Sequence, residues 1–250
     1  MTRPTVAIAG LGLVGGSLAR ALTRAGYHVV GIDRPGVARQ ALRTGAVAAT
    51  GTLAAAAGQA GLVVLAAPPS VNRRLLARLA RSGPPSLVVT DVTSVKVPIC
   101  RAARRLGMTG FVGGHPMAGT ERSGFAASSA DLFRGRTWIL VEAGASRAAL
   151  SRVRSLVRAV GARPRVMDAA EHDRTVAFLS HLPQLVAWAL HDAARRDRVA
   201  SRHFGVAGPA FGDMTRLARS PRSLWREILA ENRTEVVHAL RSLRAGLKLE

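Results

Sequence analysis

The stretch Gly113-Gly-His-Pro-Met-Ala-Gly-Thr-Glu121 holds one histidine, His115, followed by Pro116 and flanked by glycines. Imidazole titrates near neutrality, so a histidine in this small-residue setting suits proton transfer better than packing. Ser94, in Thr90-Asp91-Val-Thr93-Ser94-Val-Lys96, carries a hydroxyl that can donate to a substrate oxygen and accept from an imidazole; it also reads as an N-cap to a helix beginning at Val95. Lys96 reads either as a supporting cation or as a solvated first-turn residue. Thr120 and Glu121 end the histidine stretch and are expected to line the pocket, Glu121 alternatively capping a following helix. A second His-Pro element, Ser180-His181-Leu-Pro183-Gln184, places His181 and Gln184 three apart on one helix face. His172, nine residues before His181, falls on the opposite side of a straight helix at about 100° per residue and is expected at a helix start or between domains.

A cofactor site is written at the other end of the chain. Gly10-Leu-Gly12-Leu13-Val14-Gly15 follows an apolar run and opens a helical pattern. Gly10 permits a tight turn, Gly12 lets a pyrophosphate approach the backbone, and Gly15 lets the helix pack against the sheet. Asp33 stands 18 residues beyond Gly15, where an acid binds ribose hydroxyls. It favours NAD by repelling a 2′-phosphate, although the adjacent Arg34 leaves NADP possible. Ala67 and Pro68, after one strand, and Asp91 and Thr93, after the next, are expected along the cofactor, because ligands bind at the carboxyl ends of parallel strands. The pattern contains no metal-ligand cluster.

These residues must be held by elements that the apolar pattern defines. Strands are expected at 5–9, 27–32, 62–66, 87–90, 110–113, 137–141 and 163–167, with helices between many of them at 17–25, near 75–79 and at 147–160. This rhythm predicts an N-terminal Rossmann-type doubly wound parallel sheet over residues 1–168. From 169 to 250 the pattern is all-helical. It predicts one long helix over 169–196 kinked at Pro183, then helices at 199–207, 212–218 and 223–247. The amphipathic helices are long for a small domain and predict a homodimer through it.

Composition sets outer bounds. The net charge is +21. Lys96 and Lys248 are the only lysines, so 36 minus 2 leaves 34 arginines, spread along helices. Aromatics are 4%, too few for a stacking platform, and a primary nucleic-acid role is not expected. The single cysteine, Cys100, fits a reducing, cytoplasmic setting. No apolar run approaches the roughly 20 residues of a membrane span. A basic start and apolar centre at the N-terminus imitate a signal peptide, but the glycine spacing and Asp33 argue against one.

Four ordered motifs carry a family resemblance. Gly113 to Gly124, His172 to Pro183, Ala207-Gly-Pro-Ala-Phe-Gly-Asp-Met-Thr-Arg216 and Trp225-Arg-Glu-Ile228 resemble signatures of the prephenate and arogenate dehydrogenases of tyrosine biosynthesis. The resemblance implies an NAD(P)-dependent oxidative decarboxylation. It assigns His115 as the base for the substrate hydroxyl, Ser94 as its hydrogen-bonding partner, Arg216 as the binder of a substrate carboxylate and Glu121 as a gating acid. Many members carry a histidine where this chain has Gln184, near the substrate side chain, which leaves prephenate and arogenate both open. A regulatory C-terminal domain found in some relatives is not expected, since the sequence ends at Glu250. Two other readings differ in their requirements. A β-hydroxyacid or imine dehydrogenase relies on a lysine in its helical domain, and a nucleotide-sensing regulator has no need of His115.

Overall fold

The computed structural model describes residues 3–120 and 122–247. They form two compact units, Met1–Ala170 and Glu171–Glu250.

In chain order the first unit contains β1 (Thr5–Ala9), α1 (Leu13–Arg24), β2 (His28–Ile32), α2 (Pro35–Arg43), β3 (Ala49–Thr50), α3 (Leu53–Gln59), β4 (Leu62–Leu65), α4 (Pro69–Ser82), β5 (Val88–Asp91), α5 (Val97–Arg105), β6 (Phe111–Pro116), β7 (Thr137–Val141), α6 (Arg147–Ala159) and β8 (Arg163–Val166). The strands form one sheet in the order β3-β2-β1-β4-β5-β6-β7-β8. All pairs are parallel except β6 and β7. Among its described residues, the 117–136 connection between those two contains a 3₁₀ turn at Phe125–Ala127 and no crossover helix of the kind that a parallel return needs. Because strands buried on both faces alternate sides, Val6 and Ile8 join a core layer with Leu18, Leu22, Leu140 and Leu156. Ala7 and Ala9 join the opposite layer with Leu65, Leu76, Val89 and Phe111. The strand order reverses at β1 and β4, which opens a crevice at their carboxyl ends.

The sequence pattern places His115 just after a strand, whereas β6 runs through it to Pro116. Antiparallel pairing with β7 extends β6 and sets His115 opposite Ile139. Helix α5 starts at Val97 with Lys96 at the N-cap, so Ser94 lies in the preceding loop and does not cap it. The short β3 carried no readable alternation.

The second unit contains α7 (Ala169–Val176, which begins at its border), α8 (Leu182–Arg196), α9 (Pro209–Thr215), α10 (Arg222–Glu231) and α11 (Arg233–Gly246). The expected single helix over 169–196 is divided by a wide π turn at Ala177–His181, closed by the Leu182 N–H on the Ala177 carbonyl. Pro183 has no N–H to give and its ring crowds the carbonyl four residues back, so the chain widens one turn before resuming as α8. The expected 199–207 helix is a 3₁₀ segment, Ala200–Val206. The 212–218 helix lies earlier as α9 and ends in a 3₁₀ turn, Arg216–Arg219. The 223–247 helix is broken at Asn232, whose φ of −108° and ψ of 25° leave the helical region. Among the described residues no helix is long and apolar enough to cross a membrane.

Candidate active site

The glycine loop between β1 and α1 is shaped by close approach. Gly10 has a φ of +103°, and a Cβ there would lie 2.5 Å from the Ala66 carbonyl carbon. A Cβ on Gly15 would lie 1.8 Å from the Gly10 carbonyl oxygen. Gly12 is different: a Cβ there meets nothing within 4 Å, so its bare backbone faces open space. That is the arrangement a pyrophosphate needs, with the α1 N-terminus behind it. Leu13 and Val14, half-buried, begin that helix. The Asp33 carboxylate accepts the Leu11 N–H at 2.6 Å and the Arg34 N–H at 2.6 Å, which fixes the acid against the loop. Its remaining lone pairs are those open to ribose hydroxyls. The Arg34 side chain is 89% exposed and its Nε stands 3.9 Å from Asp33.

Across the crevice, Ala67 and Pro68 follow β4. The turn there is held by Asn72, a fully buried residue that the sequence pattern does not single out. Its Oδ1 accepts the Ala67 N–H at 3.0 Å and its Nδ2 donates to the Leu65 carbonyl at 3.1 Å. The only signal for it is a polar residue in register with Leu76 and Leu79 on the inner face of α4.

Asp91 and Thr93, expected along the cofactor, turn their side chains inward instead. Asp91 is fully buried and Thr93 nearly so. The Asp91 carboxylate accepts the Thr93 N–H at 2.8 Å, the Thr93 hydroxyl, the Gly114 N–H at 3.0 Å and the Lys96 ammonium. Lys96 also donates to Thr93 Oγ1 at 2.9 Å and to the Gly114 carbonyl at 2.6 Å. Both side chains of the ion pair are 0% exposed, so Lys96 is not a solvated first-turn residue. A buried carboxylate and ammonium are tolerable only when paired and hydrogen-bonded, as these are. Ser94 between them is half-buried, and His115 is 9% exposed on the neighbouring strand. Beyond it, Thr120 is exposed and its Oγ1 accepts the Arg122 N–H at 3.2 Å. Glu121 lies outside the described residues.

In the second unit, His181 sits on the π turn and Gln184 in the first turn of α8. Both are about 1% exposed. Asn232 Nδ2 donates to the Asp173 carbonyl at 2.7 Å and lies 3.2 Å from His181 Nδ1. Nδ1 is then the acceptor, which leaves the proton of the neutral ring on Nε2. Burial lowers the His181 pKa to about 4, outweighing the Asp173 carboxylate that raises it, while His172 lowers it further. Trp225 meets the imidazole edge-on with ring centres 5.9 Å apart. Gln184 Nε2 donates to the Leu217 carbonyl at 2.8 Å and so ties α8 to the 3₁₀ turn that begins at Arg216. Arg216 itself is exposed. His172 is buried in α7 with Nδ1 2.7 Å from Asp173 Oδ1. Asn232 and Asp173 are further residues missed in the sequence. Neither stands in a spacing that betrays a long-range contact.

A doubly wound sheet with an open glycine loop, a histidine held at the carboxyl end of a neighbouring strand and a helical second unit define a two-part dinucleotide-binding protein. Residues 18–166 match the nucleotide-binding domain of prephenate dehydrogenase, and residues 168–248 match the dimerization domain of the same enzyme. The chain therefore belongs to the prephenate dehydrogenase family. It is 31% identical to the prephenate dehydrogenase of Lactococcus lactis subsp. cremoris over 237 residues, covering 91% of this chain and 64% of that protein. It thus spans a little under two thirds of that relative's length. The crystal structure of the Aquifex aeolicus prephenate dehydrogenase, in complex with hydroxyphenyl propionate and NAD+, superposes with a TM-score of 0.89 at 30% identity, over 98% of this chain and 88% of that one. The Synechocystis arogenate dehydrogenase structure gives 0.84 at 29%, over 97% and 88%.

Proposed function

We propose that this protein oxidises and decarboxylates prephenate, arogenate or both, with NAD as the hydride acceptor, in tyrosine biosynthesis. The observation that carries the reading is His115 held within β6, beside the sheet end that bears the open glycine loop, in a chain of this family. Gly10, Gly12, Leu13, Val14 and Gly15 would hold the pyrophosphate, with Asp33 on the ribose and Ala67 and Pro68 along the opposite wall. When bound, the nicotinamide supplies the hydride acceptor. His115 in its neutral form takes the proton of the ring hydroxyl, and Ser94 hydrogen-bonds that hydroxyl and the imidazole. Arg216 binds a substrate carboxylate through its planar fork, and Glu121 and Thr120 border the substrate. His181 and Gln184 support the substrate side of the second unit. Carbon dioxide leaves as the ring becomes aromatic, which makes the overall step strongly downhill. The protein must chiefly orient the reactants and keep His115 unprotonated.

The chain acts as a homodimer through its helical unit and works in the cytoplasm, in keeping with its lone buried cysteine. The test is nicotinamide reduction by the purified protein with each of the two substrates, against NAD and NADP in turn. Turnover with one pair identifies substrate and cofactor together. NAD binding without turnover on either substrate would overturn the reading.

A further inference from the structure

The unusual component of the first unit is a buried ion pair that reaches the histidine strand through the backbone. Strand β5 ends at Asp91, and the last β5–β6 partners are Thr90 and Val112. Strand β6 runs on to Pro116, so past Val112 its β5-facing edge has no strand to bond. Gly114 is the residue on that open edge. Its N–H donates to Asp91 Oδ1 at 3.0 Å, and its carbonyl accepts from Lys96 Nζ at 2.6 Å. Both backbone groups of the residue before His115 are therefore held by the two members of one buried pair.

Three details show a site built for close approach. A Cβ on Gly114 would stand 2.4 Å from the Asp91 carbonyl oxygen, so no other residue lets the strand come this near. Thr93 bonds both charged groups through its hydroxyl and adds its own N–H to the carboxylate. A chain with 34 arginines also places one of its two lysines here. The position calls for a compact ammonium rather than a wide guanidinium.

We propose that Asp91 and Lys96 are positioning residues for His115. They replace the missing ladder bonds of β6 and so fix where the imidazole stands. The inference rests on His115 being the base, as argued above. It adds that the placement of this base is set by an ion pair that the reaction itself does not touch.

The test uses the full chain with Asp91→Asn and Lys96→Met combined. Removing both charges together avoids stranding one of them in the interior. The asparagine oxygen can still accept the Gly114 N–H, while the change removes the bond from Lys96 to the Gly114 carbonyl together with the acceptor of the Thr93 N–H. Two readouts are taken. The first is the ring Cε1–H resonance of His115 in protein labelled with 13C-histidine, assigned by its loss in His115→Asn. The second is kcat per NAD-binding site, which corrects for any unfolded fraction. The His115 resonance should shift or broaden while those of the other histidines hold their places. Turnover per NAD site should fall about tenfold or more, with KM for NAD within about twofold, since small misplacements of reacting groups are costly.

An unmoved His115 resonance would overturn the proposal. So would a moved resonance with unchanged turnover, or a loss of turnover that merely follows the loss of NAD sites. Should the double variant fail to fold, Thr93→Val keeps the ion pair and is judged by the same two readouts, with a fall of about threefold to tenfold expected. A wild-type enzyme without turnover defeats the proposed function, and the resonance then decides the positioning role on its own.

Discussion

At the scale of single residues, two histidines in this chain have opposite tasks. In the proposed mechanism His115 exchanges a proton, whereas burial keeps the His181 ring neutral near pH 7. For His115 the expectation is that His115→Asn keeps NAD binding but loses about 10²- to 10⁴-fold in kcat, the usual worth of a general base. Cofactor titration and the rate of nicotinamide reduction separate the two effects, and near-wild-type turnover would remove His115 from the mechanism. His181 makes a stability prediction instead. Its pKa is lowered from 6.5 to about 4, chiefly by burial. Between those values the unfolded chain binds a proton that the folded one does not, so stability rises with pH through this window and levels off above it. Lowering the pH from 7 to 5 should cost about 2 kcal/mol through this one group. Denaturant unfolding at the two pH values, compared with His181→Gln, measures it. Equal pH sensitivity in the variant would show that the buried ring is not the source.

At the scale of elements, the glycine loop separates binding from folding. A Cβ at Gly12 meets nothing in the protein, and its φ of −75° is open to any residue. Gly12→Ala should therefore leave the melting temperature within a degree or two while weakening NAD by about tenfold or more, because it occupies the cofactor's approach. Gly15→Val should do the reverse and unfold the first unit, since its Cβ would meet the Gly10 carbonyl at 1.8 Å. Thermal melts paired with NAD titrations check both. This loop was legible in the sequence because glycine spacing, strand and helix all lie within a few residues. The continuous apolar runs of β1, β4 and β7 were legible for the same reason: local pattern and burial agree. Other features depend on distant partners. His115 reads as a loop residue until β7 pairs with β6. Asp91 reads as a cofactor ligand by its place at a strand end until Gly114 and Lys96 are seen to use its oxygens. The kink expected at Pro183 was right in cause but not in form. A missing N–H states that the helix must give way, and the packing around Ala177 and His181 decides that it widens there into a π turn.

At the scale of the whole molecule, the two units differ in how well they bury their own surface. The first has core layers on both sheet faces. Among the described residues of the second, the largest buried apolar cluster is Ala177, Val236 and Ala239, with Val176, Ala187, Trp188 and Ile228 buried besides, while Leu179, Val199, Val206 and Met214 stand 57–83% exposed. A helical unit with so little enclosed core needs a further apolar surface to cover these side chains. In the proposed homodimer a second copy of the chain supplies it, in keeping with the match of residues 168–248 to a dimerization domain. Charge opposes that association, since each chain carries +21. The balance gives a prediction with a sign. If apolar burial drives dimer formation against repulsion, raising the salt from about 0.01 M to about 0.15 M should tighten the dimer, because the Debye length contracts from about 30 Å to about 8 Å. An interface held by ion pairs would loosen over the same range. Mass action adds a second check: tenfold more protein should stabilise the folded dimer by about 1.4 kcal/mol. Light scattering across salt concentrations, with melts at two protein concentrations, reads both effects. If the exposed apolar side chains drive dimer formation, Val206→Glu or Met214→Glu should shift the mass toward a single chain of 26.3 kDa. A wild-type protein of that mass at every salt and concentration would show that the exposed apolar side chains have another purpose.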